Sequence, residues 1–432
     1  MPDIPEILQT VRGANVLAIN PPVHDFAYFD LWARPLGLLY VLEYMRTRGN
    51  SVTLIDCIAE APEKHLSFGR IRPMRSFEPK PAAYRNIPRR YWRFGLSRED
   101  LDRRLTTATE PDLVLVTSMM TYWYTGVWET IRQVKEIYPD VPVILGGVYA
   151  RLCPEHAAGS GADYVIDRHF PLPAHRPALD LYARPGYAVS LTSTGCPMNC
   201  DYCASSALWP CFSQRPVEEA LEEIAFQISR GDIQDVAFYD DALLIGSADH
   251  FIPLCRKLGE RFKNLRYHTP NGLHVREISP EVARLMAALD FSTIRLSLES
   301  IDSEVTRSGS EKVSRRHFRE AVQNLVAAGF EPGRIETYVL VGLPGQSVGS
   351  VIDTIRFAAS FGARVKTAQF SPIPKTALFD RCAELAPELR FEPLLSNNTV
   401  FAPWIGKTIL PGELQRIKHM AVAMNEKGAA RQ

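Results

Sequence analysis

Short, nearly continuous apolar runs separated by helical patterns recur along most of this chain, and that alternation leaves few folds open to it. In the first part, Asn15 to Asn20 (NVLAIN), Ser51 to Asp56, Asp112 to Thr117 (DLVLVT) and Val141 to Leu145 read as strands, with Tyr164 to Ile166 a fifth candidate. Helical patterns stand at Leu36 to Arg48, closed by Gly49, and at Gly126 to Tyr138. Brief apolar runs of this kind suit parallel strands covered on both faces, which predicts a doubly wound, Rossmann-like α/β sheet. A second series follows at Tyr187–Ser193, Asp235–Tyr239, Leu265–Thr269, Thr293–Glu299, Ile335–Val341 and Val365–Phe370. Its clearest helix is Val217 to Arg230, with Pro216 before it, Glu218 and Glu219 in its first turn and Gly231 at its close. Six such β/α units predict a partial (β/α)6 TIM-type barrel rather than a full barrel of eight.

A length of 432 residues exceeds one ordinary domain. The pattern divides it into a first α/β domain over 1–170, a barrel over 187–375 and an extension over 376–432. Residues 168–186, with four prolines among polar residues, read as the linker. The extension is mixed and partly helical, and its residues indicate no role. Within the first domain, 64–98 forms an insertion with ten Lys or Arg, one Glu and interleaved aromatics (YRNIPRRYWRFG). A nucleic-acid patch and a solvated irregular flap packing across the other domain are its two readings. The flap is preferred, because the 49 basic and 49 acidic residues of the chain cancel and no nucleic-acid-binding fold accompanies the patch. No apolar run approaches the roughly 20 residues that span a bilayer. The start, MPDIPEILQT, lacks a signal peptide's basic and apolar segments. A cytoplasmic protein with no membrane partner is expected.

Cytosolic thiols stay reduced, so clustered cysteines there point to metal or catalysis. Of eight cysteines, Cys57, Cys153, Cys211, Cys255 and Cys382 are scattered and read as small inert residues. Cys196, Cys200 and Cys203 instead form a C-x3-C-x2-C loop just after the first strand of the second series. Three thiolates on one short loop suit an iron–sulfur cluster. A closed zinc site is the competitor, and the fourth ligand it needs is not evident.

That spacing, after the first strand of a partial barrel, resembles the radical S-adenosylmethionine (SAM) superfamily across roughly residues 187–375. The resemblance implies a [4Fe–4S] cluster on Cys196, Cys200 and Cys203, with one iron open to SAM. It also implies reductive cleavage of SAM to a 5′-deoxyadenosyl radical, and a reductase or a flavodoxin or ferredoxin as electron donor. Matched position by position, Tyr202 resembles the residue packing near adenine. Asp240 and Asp241 stand where the family binds the methionyl amino group, a role two carboxylates suit, although an aspartate pair capping the next helix is the plainer reading. Ser297 and Glu299, on one face by period two, resemble ribose and carboxylate contacts. Gly342 and Pro344 resemble the adenine-side turn, where glycine permits close backbone approach. Gln369 ends the sixth strand, where the family bonds adenine. His268 is the histidine placed nearest substrate at the barrel rim.

The first series resembles the cobalamin-binding domain that precedes many such barrels. Leu36 and Gly37 open its first helix, Thr117 and Ser118 end the third strand, and Gly146 and Gly147 end the fourth, beside a natural crevice for a nucleotide tail. The D-x-H-x-x-G histidine motif is absent, and Val165-Ile166-Asp167-Arg168 replaces the usual Gly-Glu-rich turn. A domain without corrin therefore stays open. The resemblance implies methyl transfer to a small molecule, through cob(I)alamin methylated by one SAM and a radical from a second. Radical rearrangement, cyclisation or oxidation without methylation is the alternative. The methylthiotransferase pattern fits less well, because the first series has no cysteine trio of its own.

Overall fold

The computed structural model describes residues 5–28, 32–171, 176–302 and 313–429. Parts of the N-terminal decapeptide, the linker and the last residues of the extension lie outside them. The chain forms two compact units. One comprises Met1–Gly186, Ser229–Asp232 and Glu388–Ser396, and the other Tyr187–Ile228, Ile233–Pro387 and Asn397–Gln432.

The first unit is built on β1 (Asn15–Asn20), β2 (Ser51–Asp56), β3 (Leu113–Val116), β4 (Val143–Leu145) and β5 (Tyr164–Val165). All pairs are parallel, in the order β2-β1-β3-β4-β5. This doubly wound order reverses between β1 and β3, which creates the switch point at which such sheets bind ligands. Helix α1 (Leu36–Thr47) lays Leu38, Leu42 and Met45 on Val16, Ala18 and Leu115 of the sheet. Ser97 caps α2 (Arg98–Thr107) by accepting from the Asp100 N–H, and α3 (Tyr124–Ile137) follows β3. The expected linker packs onto this unit: Ala178 and Leu179 are buried, and the Tyr182 hydroxyl donates to Asp56 at 2.6 Å.

The basic insertion is more ordered than a solvated flap. Val23–Asp25, Trp92–Phe94 and Arg75–Phe77 form a three-stranded antiparallel sheet, and Pro62–His65 pairs with Ile71–Pro73. Tyr84, Tyr91 and Phe94 are buried, so these aromatics pack the unit. Arg93, 1% exposed, reaches Glu129 and lies 3.2 Å from His24 Nε2, while Arg98 bridges Glu129 and Glu78. His24, Glu78 and Glu129 are the one group of three among the described residues whose ligand atoms lie within 4.8 Å of one another. The two guanidinium groups already neutralise both carboxylates, so this is a buried ion-pair network rather than a metal centre.

Burial, then the charges of Arg93 and Arg98, lower the His24 pKa from 6.5 to about 3. Unfolded His24 takes a proton below about pH 6.5, whereas the folded ring refuses one until about pH 3. Stability that is full above pH 6.5 is therefore lost as the pH falls through that window. The melting temperature of the first unit should drop between pH 6.5 and pH 4, and the drop should shrink in His24→Gln. An equal drop in both proteins would remove His24 as the cause.

The second unit holds β6 (Ala188–Ser190), β7 (Asp235–Phe238), β8 (Arg266–His268), β9 (Phe291–Glu299), β10 (Ile335–Val341) and β11 (Arg364–Gln369). They pair in parallel and in consecutive order, the arc of a partial barrel. Helices α4 (Val217–Ile228), α5 (Phe251–Arg261), α6 (Pro280–Ala288), α7 (Arg315–Ala327) and α8 (Val348–Ala359) alternate with the strands. An open arc leaves two edges whose backbone groups need partners. Each edge is met by one amide side chain. Gln227 of α4 accepts from Val189 N at 2.9 Å and donates to Val189 O at 2.7 Å on β6. Asn425 of the last helix, α10 (Pro411–Ala429), accepts from Val365 N at 2.8 Å and donates to its O at 2.9 Å on β11. Most of the extension, including α9 (Ala377–Leu385), thus belongs to this unit, while Glu388–Ser396 belongs to the first.

Candidate functional site

The cysteine loop leaves the C-terminal end of β6, the rim where barrels place their chemistry. Gly195, at φ +74°, begins it, and a Cβ there would meet Cys211 O at 2.6 Å, so only glycine lets the chain turn into Cys196. Cys200 is buried, Cys196 half-buried and Cys203 exposed, and none forms a disulfide. The three thiols are not gathered within 4.8 Å as the ligands of a single ion would be. A zinc ion, with bonds of about 2.3 Å, draws its sulfurs closer than that. Three cysteines spread along a pinned loop fit a multi-iron cluster instead.

Several neighbours hold the loop. Asp201 O accepts from Leu378 N at 2.9 Å, and its carboxylate pairs with Arg381, both on α9. The Tyr202 hydroxyl donates to Glu299. Burial first, then the Glu299 charge, pushes the Tyr202 pKa far up, so this hydroxyl stays a donor. Cys196 Sγ lies 3.9 Å from His274 Nε2.

Asp240 differs from its expected use. Its buried carboxylate accepts from Thr192 N (3.2 Å), Thr192 Oγ1 (2.7 Å), Ser193 N (2.5 Å) and Ser193 Oγ (2.7 Å). Burial pushes its pKa up, and these hydrogen bonds oppose the rise. Its oxygens are committed to the segment that enters the cysteine loop, which leaves little for an ammonium group. Asp241, half-buried, accepts from Ser205 Oγ at 2.8 Å and stays at the rim. Asn271 ties the neighbouring turn to the backbone of Tyr239 and Asp240.

Ser297 and Glu299 do not share a face by simple alternation. A bulge sets two residues of β9 against one of β10 between them, and Glu299 takes φ +64°, left-handed for a non-glycine residue. The irregularity aims Glu299 at Tyr202, while Ser297 fills the space beside Gly272. Gly342 packs within the chain. A Cβ there would lie 2.4 Å from Ala402 Cβ, its N–H donates to Gln346 and its carbonyl accepts from Thr408. The close approach this glycine permits is to the chain's own extension. Pro344 is half-buried, and Gln369 Oε1 accepts from Lys418. His268 is fully buried, with Nε2 on Asp235 and Nδ1 on Thr293, each at 2.9 Å, so it supports the sheet and does not reach the rim.

In the first unit the structure brings Thr117, Ser118, Gly146 and Gly147 together at the ends of β3 and β4, beside the switch point. Ser118 Oγ donates to Gly146 O at 2.6 Å, and Val148 N donates to Ser118 O at 2.8 Å. Gly147 has φ +98°, and a Cβ there would lie 2.2 Å from Ser118 O. It seats the two turns on each other and leaves no slot of its own. Gly146 instead faces open space, with nothing within 4 Å of its Cβ position. Leu36 is buried in the core and Gly37 exposed. An open glycine beside the crevice of a doubly wound sheet fits a large nucleotide-bearing ligand.

Sequence reasoning missed the Asp240 bonds, the Glu299 bulge and His274, because each depends on contacts between segments far apart in the chain.

A family model described as the radical SAM superfamily matches residues 190–358, and one described as the B12 binding domain matches residues 91–170. An uncharacterized methyltransferase of Pyrococcus horikoshii is 23% identical over 211 residues, 47% of this chain and 44% of the relative. The ribosomal protein uS12 methylthiotransferase of Petrotoga mobilis is 22% identical over 238 residues, 53% of each chain. The chain thus spans about half the length of the curated relatives it matches. Among solved structures, the fold is similar to TsrM of Kitasatospora setae, a radical SAM methyltransferase with cobalamin and [4Fe–4S] bound (TM-score 0.61, 16% identity, 86% of this chain and 79% of that one). It is also similar to OxsB, a cobalamin-dependent SAM radical enzyme (TM-score 0.58, 13% identity, 88% and 56%). The two matched domains are named for SAM and for B12, and TsrM holds cobalamin and a [4Fe–4S] cluster. The chain thus carries a B12-binding domain over residues 91–170 ahead of a radical SAM domain over residues 190–358.

Proposed function

We propose that the chain is a methyltransferase acting on a small molecule. The observation that carries this reading is the presence, in one chain, of a three-cysteine loop on the rim of a parallel arc and an open glycine at the switch point of a doubly wound sheet. Cys196, Cys200 and Cys203 hold the cluster, and Asp241, Ser297 and Glu299 line the SAM side of the rim. Thr117, Ser118 and Gly146 line the corrinoid crevice. When bound, the cluster supplies an electron for cleaving SAM and the corrinoid carries a methyl group. The residues of the chain orient these groups: Tyr202 and Asp201 fix the loop, and Asp240 anchors its base. A reductase, flavodoxin or ferredoxin supplies the electron, and the setting is the cytoplasm. Nucleic acid is not the substrate, a reading supported by the buried aromatics of the basic insertion. Among the described residues no helix is long and apolar enough to cross a membrane.

Methyl transfer that uses SAM twice should yield S-adenosylhomocysteine and 5′-deoxyadenosine in step with product. Turnover with SAM bearing a deuterated methyl group, followed by mass spectrometry, tests this. Product without deuterium would refute methyl transfer and leave a rearranging or oxidising radical enzyme.

Gly146 allows a separate test of the corrinoid. Because its Cβ position is free of contacts, Gly146→Trp should fold normally and retain at least tenfold less hydroxocobalamin after anaerobic loading, a loss of about 1.4 kcal/mol. Gly147→Ala should instead destabilise the unit, since it forces a side chain onto Ser118. Full corrinoid retention by Gly146→Trp would remove this crevice from the site.

A further inference from the structure

His274 carries chemistry that the reading above does not use. It stands on a short strand, Leu273–His274, paired in parallel with β9 so that His274 lies opposite Ser297. The pairing fixes the backbone under the ring, which is 5% exposed. Its Nε2 lies 3.9 Å from Cys196 Sγ. An imidazole nitrogen this near a thiol, in a water-poor setting, has the sulfur as a natural acceptor once that sulfur is a thiolate. Asn271 and Gly272, just before it, are also held: Asn271 by the backbone of Tyr239 and Asp240, and Gly272 by Ser297 packed against its missing Cβ. The backbone that carries the ring is thereby held on both sides.

We propose that His274 is a positioning residue for the iron–sulfur centre, donating Nε2–H to the Cys196 thiolate and so raising the cluster's reduction potential. The inference rests on Cys196 being a cluster ligand. A hydrogen bond to a ligating sulfur draws electron density from the metal and favours the state with one more negative charge. The proton stays on Nε2 in both redox states, so the only change on reduction is the single electron taken up by the cluster. The bond also limits the rotation of Cys196, the one ligand that sits next to the Gly195 turn.

The test compares His274→Leu, which removes the donor, with His274→Gln, whose amide N–H keeps one. Each reconstituted full-length protein is titrated potentiometrically under anaerobic conditions and followed by visible absorption and electron paramagnetic resonance, with iron counted per chain. His274→Leu should shift the reduction equilibrium about tenfold toward the oxidised cluster, which for one electron is a fall of 59 mV. His274→Gln should return most of that shift. An unchanged potential in His274→Leu at full iron content overturns the proposal. A fall that Gln does not reverse also overturns it, since the ring would then be acting as a ligand or as packing. Should His274→Leu hold no iron, the Gln variant decides alone: a potential near wild type supports the donor role, and one shifted by tenfold or more rejects it. Failure of the underlying assignment looks different, because Cys196→Ala would then keep a complete cluster whatever happens at position 274.

Discussion

Anaerobically reconstituted Cys196→Ala, Cys200→Ala and Cys203→Ala proteins should each lack the broad visible absorption of a [4Fe–4S] cluster and form no 5′-deoxyadenosine above background. The loss should be complete and not graded, since only three thiolates are offered on the loop and an iron left without its ligand is labile. Cys382→Ala and Cys211→Ser are the controls. Burial pushes the Cys382 thiol up to about 12, so it is protonated and inert at neutral pH, and Cys211 is exposed, with its backbone carbonyl turned to Gly195. Both controls should keep wild-type iron and cleavage. A full cluster in Cys200→Ala would overturn the assignment of this centre.

The second large effect is expected at a residue that never touches iron. Asp240→Ala strands four donors, two backbone and two hydroxyl, on Thr192 and Ser193, both of which are fully buried. Each stranded donor costs about 1–3 kcal/mol, and together they outweigh what a loop base of this size can absorb. The protein should melt well below wild type and hold less than half the wild-type iron per chain, because Ser193 leads directly into the Gly195–Cys196 turn. Asp240→Asn, which keeps one acceptor oxygen, should fall between the two. Iron analysis with SAM binding by calorimetry separates this from direct SAM recognition. Direct recognition would leave iron and melting intact and weaken SAM alone, and that result would return Asp240 to the ligand.

Much of the fold was legible because its strands are local apolar runs buried on both faces. β1, β2 and β10 have the bounds that the runs of residue types indicate, and α4 ends two residues early, before Gly231. The cysteine triple was legible for the same reason, its meaning lying in spacing along a single loop. The roles of particular glycines and carboxylates were not. Gly147 and Gly342 look like glycines that make room for a ligand, but the atoms that demand them belong to Ser118 and Ala402. Asp240 looks like a free carboxylate until Thr192 and Ser193 fold beneath it. Period-two reasoning on β9 fails at a bulge that no residue type announces. Such facts arise from which segments meet, and a one-dimensional pattern has no access to them.

The short stretch Glu388–Ser396 finishes a unit begun almost four hundred residues earlier. Tyr84 donates to Leu394 O at 2.8 Å and Tyr124 to Glu392 at 3.1 Å, so the hydroxyls of two buried tyrosines of the first unit find partners there. A ribosome emits the chain from its N-terminus, and the usual economy of synthesis, one domain folding while the next is made, does not hold for this unit. Its last sheet strand ends at Val165, but the hydrogen-bond partners of these two tyrosines, Glu392 and Leu394, are made more than two hundred residues later. Expression of residues 1–186 alone would lack those partners, and adding the 388–396 segment as a peptide is the natural way to supply them.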